Sequence, residues 1–393
     1  MPAAVLGQSW ARANGPLVIG GLTISLAALR HNAELLRALV GAGRAAFVVK
    51  GNAYGHGLVE TARAVAPLAN RICVYSIEEA LALRGAGLSA PILVLGPVPP
   101  EALNDAIAAK LELGLWNTGE FARRLVQAAR HQQSRATVHV KVNTGLNRLG
   151  FEPLEFGDAI EDYLHLSELD VCGVFSHLAS AEELDSPYTM HQLETFERAV
   201  ASAKPLFERA QIAPLRHIAA SAAAMLWPQT RLDFARFGIA LYGLWPSKQT
   251  REASNAHGVD LEPALSYDSK IVAERLVRTG SPIGYGGSFH APQDMRVGIV
   301  PAGYADGIPR ALSNRGAFIV AGTLCPIVGR IAMNMTQIDL TPAPQARTGS
   351  KVTLIGSDGS ASVTADDWAN WAGTINYEIV TRLPSELHRV YVG

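Results

Sequence analysis

The sequence is poor in cysteine and nearly balanced in charge, and both features narrow its class. Only 3 of its 393 residues are cysteines, Cys73, Cys172 and Cys325, which are scattered and show no C-x-x-C metal spacing. We therefore expect no disulfide framework and a reducing, cytoplasmic setting. With 34 Lys+Arg against 35 Asp+Glu, the net charge is −1. This balance argues against a nucleic-acid-binding protein, whose affinity depends on many basic side chains, and against binding to a charged membrane surface.

The sequence also lacks an apolar run long enough to cross a bilayer. The uncharged stretch 13–29 contains Gly, Pro, Asn and Ser, whereas a spanning helix needs about 20 mostly apolar residues. A secretory signal peptide is the alternative for this region. However, no Lys or Arg precedes Arg12, and the stretch continues into an amphipathic helix. We therefore expect a protein without a membrane anchor.

Eight short apolar runs are each followed by a helix-like stretch, and this alternation predicts the fold of the first part. The runs cover residues 45–50, 72–76, 91–96, 111–117, 136–143, 171–177, 216–221 and 234–241. Strand–helix alternation favours parallel pairing, and eight units within roughly 200 residues predict a closed (β/α)₈ barrel of the TIM type. An open doubly wound sheet is the alternative, but the G-x-G-x-x-G turn expected after its first strand is absent from the sequence.

The pattern changes after Pro246 and predicts a second domain. The polar segment 249–260 is typical of a linker, and the stretches beyond it are β-rich, with one clear helix near 365–371. We predict an N-terminal tail at 1–16, a barrel domain at 17–245 and a mainly β C-terminal domain at 246–393. The strand predicted at 17–23 is surplus to the barrel and is a candidate to pair with the C-terminal domain.

Polar side chains follow the predicted barrel strands at the ends where such barrels carry their reactive groups. Lys50 is the sharpest example, because it follows a buried run and burial lowers the pKa of an amine, which favours Schiff-base chemistry. A lysine that extends from a strand end into solvent is the alternative. The following loop favours a function, since it holds Tyr54, His56 and three glycines within seven residues.

Seven motifs together resemble the alanine racemases, a pyridoxal-phosphate-dependent family. They are FVVKGNAYGHG at 47–57, KVNTGLNRLG at 141–150, SHLA at 176–179, RFGIALYG at 236–243, GYGG at 284–287, GYADG at 303–307 and NYE at 376–378. Each motif alone is weak, but all seven occur in the family's order and span about residues 17–380. The resemblance implies an isomerase that interconverts L- and D-alanine and supplies D-alanine for peptidoglycan.

The resemblance also implies the roles of the main catalytic residues. Lys50 would hold the cofactor covalently and act as the base on one face of the substrate, and Tyr285 would act on the other face. The family's helper histidine matches His177, and the arginine at the cofactor's pyridine nitrogen matches Arg236. From the residues alone, the ordinary interpretation of Tyr285 is a turn tyrosine between glycines, and Arg236 could pair with a carboxylate such as Asp233.

The remaining expected contacts come from the same resemblance. The cofactor would be bound by Lys50, His177 and Arg236 and, at its phosphate, by Tyr54, Ser221, Gly238, Ile239 and Tyr377. The substrate would contact Arg148, Met333 and Tyr304. Lys141 matches a lysine that the family carbamylates, whereas Ser221 could simply cap a helix and Met333 could simply fill the core. The family is dimeric with shared active sites, so a homodimer is expected, without a metal.

Three departures from the family pattern bear on substrate choice. Phe237 replaces a usual proline, and Asn143 and Asn334 replace aspartates. These changes leave open a serine, lysine or broader-specificity racemase of the same family.

Two further alternatives remain from the sequence. Pyridoxal-phosphate decarboxylases of basic amino acids share the barrel-plus-β layout, but they place a carboxylate near the ring nitrogen and use a catalytic cysteine in the β domain. Arg236 argues against that class, and so does Cys325, which is followed by Pro326. A non-catalytic cofactor-binding barrel is the other alternative, and the length of the chain and Tyr285 argue against it.

Overall fold

The computed structural model describes residues 20–117, 119–255 and 258–393. The chain divides into two compact units. The first comprises Ser25–Ala264 and Gly393, and the second combines the segment that ends at Ile24 with Leu265–Val392. The predicted tail at 1–16 and the first part of the strand predicted at 17–23 lie outside the described residues. The first described strand is β1 (Gly21–Ser25).

Eight parallel strands form the core of the first unit. They are β2 (Ala45–Val48), β3 (Arg71–Val74), β4 (Ile92–Val94), β5 (Glu112–Leu115), β6 (Ala136–Lys141), β7 (Leu169–Phe175), β8 (Leu215–His217) and β9 (Ala235–Phe237). They follow the order β8-β7-β6-β5-β4-β3-β2-β9. Backbone hydrogen bonds from Asp233 to Arg216 (3.0 Å) and from Arg236 to Ala219 (3.1 Å) link the flanks of β8 and β9. The barrel is therefore nearly closed, which confirms the predicted TIM-like fold class.

Helices alternate with these strands along the chain. They are α1 (Leu26–Val40), α2 (Lys50–Tyr54), α3 (Leu58–Val65), α4 (Ile77–Gly85), α5 (Leu103–Ala108), α6 (Glu120–His131), α7 (Phe156–Leu164), α8 (Tyr188–Arg209), α9 (Ser221–Leu226) and α10 (Lys248–Asn255). Helix α1 begins because the Ser25 side chain accepts a hydrogen bond from the Ala28 amide, and it buries Leu29 and Leu36. Across the described residues, we find no helix with both the length and the apolar character needed to traverse a bilayer.

The segment predicted as a linker, 249–260, contains most of helix α10. The Ser247 side chain accepts a hydrogen bond from the Thr250 amide (3.1 Å), and Lys248 pairs with Glu252 one turn on. The helix is polar on nearly every face, which is why the apolar pattern did not reveal it. The second unit begins only at Leu265, whereas the sequence pattern placed the start of the second domain at 246.

The second unit is mainly β, as the fold-class prediction requires. Its later strands are β10 (Leu265–Lys270), β11 (Ala273–Val277), β12 (Pro282–Ile283), β13 (Phe289–His290), β14 (Met295–Val300), β15 (Ala317–Val320), β16 (Thr323–Pro326), β17 (Thr336–Asp339), β18 (Lys351–Asp358), β19 (Ala361–Val363) and β20 (Arg389–Val392). Its described residues also form the α-helices α11 (Ala365–Ala372) and α12 (Asn376–Thr381). Trp368 is fully buried, and its ring packs near those of Tyr267 and Phe318.

Strand β1 belongs to the sheet of this second unit. The sheet has the order β16-β15-β18-β10-β1-β20, with β19 paired to β18. Leu22 lies opposite Tyr267 in the antiparallel ladder with β10, and the Leu22 amide bonds to the His388 carbonyl (2.8 Å). A segment that precedes the barrel in the chain is therefore an inner strand of the β unit.

Candidate active site

Lys50 lies just beyond the end of β2 and opens a turn of unusual handedness. Residues 51–54 have φ values between 51° and 65°, in the left-handed region. The amides of Ala53 and Gly55 bond to the carbonyls of Val49 (2.8 Å) and Gly51 (3.0 Å), so the turn is helical in its hydrogen bonding. A non-glycine residue in this conformation costs roughly 1–2 kcal/mol. The surrounding structure must therefore hold the turn in place.

Glu79 holds that turn. Its Oε1 accepts hydrogen bonds from the amides of Gly51 (2.6 Å) and Asn52 (3.3 Å). Its Oε2 accepts from the amides of Tyr75 (3.0 Å) and Ser76 (3.4 Å), the latter within the capping box of α4. We did not predict a role for Glu79, although the Ser-x-x-Glu spacing is a visible capping signal.

Four cationic side chains influence one another at this end of the barrel. Burial and the charges of Arg148 and Arg236 lower the pKa of the Lys50 amine, which Glu79 partly opposes. Burial and the same two arginines lower the pKa of Lys141 to about 8. Across the described ranges, none of these four side chains forms an ion pair with a carboxylate. Such a concentration of positive charge suits an anionic ligand.

Arg236 is buried in the barrel interior and is held from several sides. Its guanidinium donates to the carbonyls of Ser176 (2.8 Å) and Ile218 (3.1 Å) and to Nδ1 of His217 (2.6 Å). Burial lowers its pKa to about 10. The alternative pairing of Arg236 with Asp233 is not found, because Asp233 binds Arg216 instead (3.1 Å).

His177 lies beside Arg236, with 3.3 Å between its Nδ1 and the guanidinium. Arginine can only donate, so Nδ1 accepts and Nε2 carries the proton of the neutral ring. Burial and the nearby cations, Arg236 first among them, hold the pKa of His177 well below its usual value. The ring is therefore a neutral hydrogen-bond donor at Nε2.

Three of the predicted phosphate ligands meet at one point of the barrel. The Gly238 amide donates to Oγ of Ser221 (3.1 Å). A Cβ at Gly238 would come within 2.5 Å of the Tyr54 hydroxyl oxygen, so the glycine is needed for this approach. Ile239 follows and is buried. Hydroxyl and amide groups thus converge in the manner of a phosphate site after the last barrel strands.

The other predicted residues belong to the second unit. Tyr285, Tyr304 and Met333 are exposed, with 70% of Tyr285 accessible. Tyr304 and Met333 lie on adjoining loops, because the Ala305 amide bonds to the Met333 carbonyl (2.8 Å). Tyr377 is half-buried on α12.

The three departures from the family pattern have ordinary local contacts. Asn143 accepts hydrogen bonds from the amides of Gly145 and Asn147 and so shapes the loop that carries Arg148. Phe237 is buried and packs near Phe47. Asn334 donates to Asp306 (3.3 Å) in the second unit.

Comparisons with known proteins cover nearly the whole chain. The model of the alanine racemase N-terminal domain matches residues 24–246, and that of the C-terminal domain matches residues 264–391. The chain belongs to the alanine racemase family. An alanine racemase of Desulforamulus reducens is 39% identical over 373 residues, which cover 94% of this chain and 98% of that protein.

Solved structures of the family agree with this assignment. The crystal structure of alanine racemase from the D-cycloserine producer Streptomyces lavendulae has a TM-score of 0.89 at 34% identity and covers 97% of this chain and 98% of its own. That of Bacillus anthracis alanine racemase with bound L-Ala-P has a TM-score of 0.88 at 31% identity and covers 97% and 96%.

Membership of this family confirms the predicted enzyme class and cofactor, because the alanine racemases are pyridoxal-phosphate-dependent isomerases. The residues present fit that cofactor: a lysine with a lowered pKa, a convergent hydroxyl and amide group, and a concentration of cations. The alternative of a serine or lysine racemase is not favoured, since the relatives reported above are named for alanine.

Proposed function

We propose that the chain interconverts L- and D-alanine with Lys50 and Tyr285 as its two bases. The observation that carries this assignment is Arg236, a buried arginine held by backbone carbonyls and His217 and close enough to Lys50 to lower the pKa of its amine. A decarboxylase of this layout would require a carboxylate there. Pyridoxal phosphate, when bound, supplies the conjugated ring that takes up the electron pair of the broken Cα–H bond.

Lys50 would hold the cofactor and move a proton on one face of the substrate. Its lowered pKa keeps a larger neutral fraction of the amine, which is the form that reacts with a carbonyl and that accepts a proton. Glu79 and the left-handed turn fix the backbone from which this side chain extends.

Arg236 would donate a hydrogen bond to the pyridine nitrogen. It has no acceptor atom and keeps its protons, so it withdraws electrons less than a proton on that nitrogen would. This favours rapid return of the proton to the substrate carbon over transamination. Tyr54, Ser221, Gly238, Ile239 and Tyr377 would bind the phosphate group.

Tyr285 would move the proton on the opposite face. The phenolate of tyrosine needs stabilisation at neutral pH, because its ordinary pKa is near 10. The Nε2 proton of His177, oriented by Arg236, is suited to donate to that phenolate oxygen. The exposure of Tyr285 is consistent with its use by a second copy of the chain.

The substrate carboxylate would be bound by Arg148, with Met333 and Tyr304 near the entrance. A carbamate on Lys141 would place a negative charge beside Arg148 and orient it. The pKa of Lys141, lowered to about 8, supports this modification, because only the neutral amine adds carbon dioxide. We further propose a cytoplasmic homodimer that supplies D-alanine for peptidoglycan.

The test is proton exchange in deuterated water. Purified protein loaded with pyridoxal phosphate is incubated with L-alanine, and the α-proton signal and the chirality of alanine are followed. We expect loss of the α-proton signal together with formation of D-alanine, and loss of both in Lys50→Ala. A fully loaded protein that exchanges no α-proton would contradict the proposal. L-serine and L-lysine, run in parallel, measure specificity.

A further inference from the structure

A chain of hydrogen bonds runs from Arg236 down the barrel interior to Glu112. Arg236 contacts Nδ1 of His217 (2.6 Å), and Nε2 of His217 contacts Nδ1 of His139 (2.8 Å). Nε2 of His139 contacts Oε2 of Glu112 (3.1 Å). Glu112 is the first residue of β5, whereas Lys50 lies just beyond the last residue of β2. This relay of four side chains therefore ends at the N-terminal end of the barrel strands, opposite to the end that carries Lys50.

The donors of the relay determine its direction. Arg236 can only donate, so Nδ1 of His217 must accept and Nε2 must carry the proton. His217 donates that proton to Nδ1 of His139. Nδ1 of His139 is therefore an acceptor, so the one proton of the neutral His139 ring lies on Nε2 and faces the carboxylate of Glu112. Both rings are neutral, because burial first and the nearby cations next lower the pKa of His217, and burial also lowers that of His139.

Packing keeps both rings in this orientation. His217 stacks with both Phe175 and Phe234, with ring centroids 5.0 and 4.2 Å away. His139 occupies the space that a side chain at Gly173 would fill, opposite an irregularity in the ladder between β6 and β7. The rings therefore cannot turn over to reverse the hydrogen bonds without disturbing the core.

Glu112 is the anion of the relay. Arg71 binds it through two nitrogens, at 2.8 and 3.2 Å, and its side chain is only 13% exposed. Although burial opposes ionisation, hydrogen bonds from His139 and Arg71 lower its pKa to about 2, so it stays charged. In the parts of the chain that the structure describes, Arg236 has no ion pair of its own. The carboxylate acts on it only through the two imidazoles.

We propose that Glu112 is a positioning residue that fixes the tautomers of His139 and His217 and thereby holds Arg236 in its donating orientation. The proposal rests on the role of Arg236 given under the proposed function, but its first test does not. If Glu112 is removed, the proton on Nε2 of His139 loses its charged acceptor and retains only Sγ of Cys172 (3.1 Å), a weak acceptor. A reversed relay would then point Nδ1–H of His217 at the guanidinium.

A metal site is the competing interpretation of the same residues. Glu112, His139 and Cys172 bring a carboxylate, an imidazole and a thiol within 4.8 Å of one another. However, a metal needs the lone pair of Nε2 of His139, and the relay requires a proton on that atom. Arg71 also occupies the carboxylate. The two interpretations exclude each other, so zinc binding tests the relay.

The first measurement is NMR of ¹⁵N-histidine-labelled, cofactor-free protein, because imidazole nitrogen shifts report the tautomer of each ring. In the wild-type protein we expect His139 and His217 to carry their protons on Nε2. In Glu112→Ala both rings should lose this single tautomer, whereas Glu112→Gln, whose amide oxygen can still accept, should keep it. Glu120→Gln, which removes an exposed glutamate paired with Arg124, is the matched control.

The outcomes against the proposal are equally specific. A proton on Nδ1 of His217 in the wild type would overturn it, as would tautomers unchanged in a folded Glu112→Ala. Stoichiometric binding of zinc ions that requires His139 and Cys172 would overturn it in favour of the metal site. These signals come from cofactor-free protein, so they are read independently of whether alanine is racemised.

The second measurement uses the loaded enzyme. We expect Glu112→Ala to lower kcat about tenfold, the smaller end of the range known for the hydrogen-bond partners of metal ligands, whereas Glu112→Gln, which keeps both tautomers, should stay close to the wild type. KM for alanine should change by less than about twofold, because the relay does not touch the substrate. A larger change in KM than in kcat would contradict a role through Arg236.

Discussion

At the scale of single residues, burial decides the chemistry of this barrel more than charge does. The three histidines 139, 177 and 217 stand among cations and inside the core, and burial is the largest cause of the lowered pKa of each ring. They are therefore neutral in the folded protein. Neutral rings serve as oriented donors and acceptors, which is what Arg236 requires.

Neutral buried histidines make stability depend on pH in a defined direction. Their folded pKa values lie below the unfolded value near 6.5, so the unfolded chain binds more protons as the pH falls and the free energy of unfolding decreases. Between about pH 7.5 and about pH 5.5 the free energy of unfolding decreases by about 1.4 kcal/mol for each histidine that stays neutral in the folded protein over this whole range. Urea unfolding at both pH values measures it.

A single substitution isolates one histidine in that experiment. His217→Gln should be less stable overall, but its loss between the two pH values should be smaller by about 1.4 kcal/mol. His191→Gln, altered at an exposed position, should keep the full loss. An unchanged loss in His217→Gln would show that the pKa of this ring is not lowered in the folded protein.

Gly238 gives a second prediction at the residue scale. In Gly238→Ala the new methyl would lie within 2.5 Å of the Tyr54 hydroxyl oxygen and push it away from the Gly238 backbone. We expect the affinity for pyridoxal phosphate to fall by about 1–3 kcal/mol, the usual cost of overpacking. Fluorescence titration of the cofactor-free protein measures this. Gly85→Ala, where nothing lies within 4 Å, should bind normally.

At the scale of elements, the left-handed turn after β2 sets the position of Lys50. The turn holds three consecutive non-glycine residues at positive φ, and the Glu79 carboxylate bonds to its first two amides. The same carboxylate closes the capping box of α4. The Glu79 side chain therefore links the active-site turn to helix α4 by hydrogen bonds.

We predict that Glu79→Gln weakens the hydrogen bonds that link the turn 51–54 to helix α4. An amide has one acceptor oxygen in place of two, so some backbone amides lose their partner, at a cost of about 1–3 kcal/mol in the free energy of unfolding. The pKa of Lys50 should also fall further, because Glu79 raises it in the native protein. The pH dependence of the reaction of Lys50 with pyridoxal phosphate would then shift to lower pH.

The neighbouring glutamate is the matched control. Glu78 lies in the same first turn of α4 but is exposed and does not touch the turn 51–54. Glu78→Gln should leave both the stability and the pH profile nearly unchanged. Equal effects of the two substitutions would mean that the negative charge in the first turn of α4, rather than the hydrogen bonds from Glu79 to the turn 51–54, causes the change.

The elements differ in how far the sequence could predict them. All eight predicted barrel strands overlap observed strands, because buried parallel strands are continuous apolar runs that stand out from amphipathic helices. Helix α10 was missed because it has no apolar stripe, and the left-handed turn gives no periodic signal. The relay was not predictable either, since its members are 27, 78 and 19 residues apart. The visible signals were two histidines, His139 and His217, inside the apolar runs 136–143 and 216–221.

At the scale of the whole molecule, the proposed dimer makes each active site depend on two chains. Lys50 lies in the first unit, and Tyr285 is exposed on the second. If Tyr285 serves the partner's barrel, a chain that lacks Lys50 and a chain that lacks Tyr285 each carry what the other needs. A mixed dimer then has one complete site and one that lacks both bases.

Mixing two inactive variants tests this arrangement. Lys50→Ala and Tyr285→Phe are unfolded and refolded together in equal amounts with pyridoxal phosphate, and racemisation is measured. Random pairing in a two-fold dimer should restore about a quarter of wild-type activity. Each variant refolded alone is the control. No recovery from a mixture that forms mixed dimers would place both bases in one chain.

The position of β1 also has a consequence for the timing of synthesis. This inner strand of the β unit leaves the ribosome before the barrel, but its neighbour β10 begins at Leu265, about 240 residues later. At 5–20 residues per second, β1 waits roughly 12–48 s for a partner. The barrel can fold during that interval, whereas the β unit cannot complete its sheet until the last strand emerges. A fragment of residues 265–392 would accordingly need β1 supplied as a peptide.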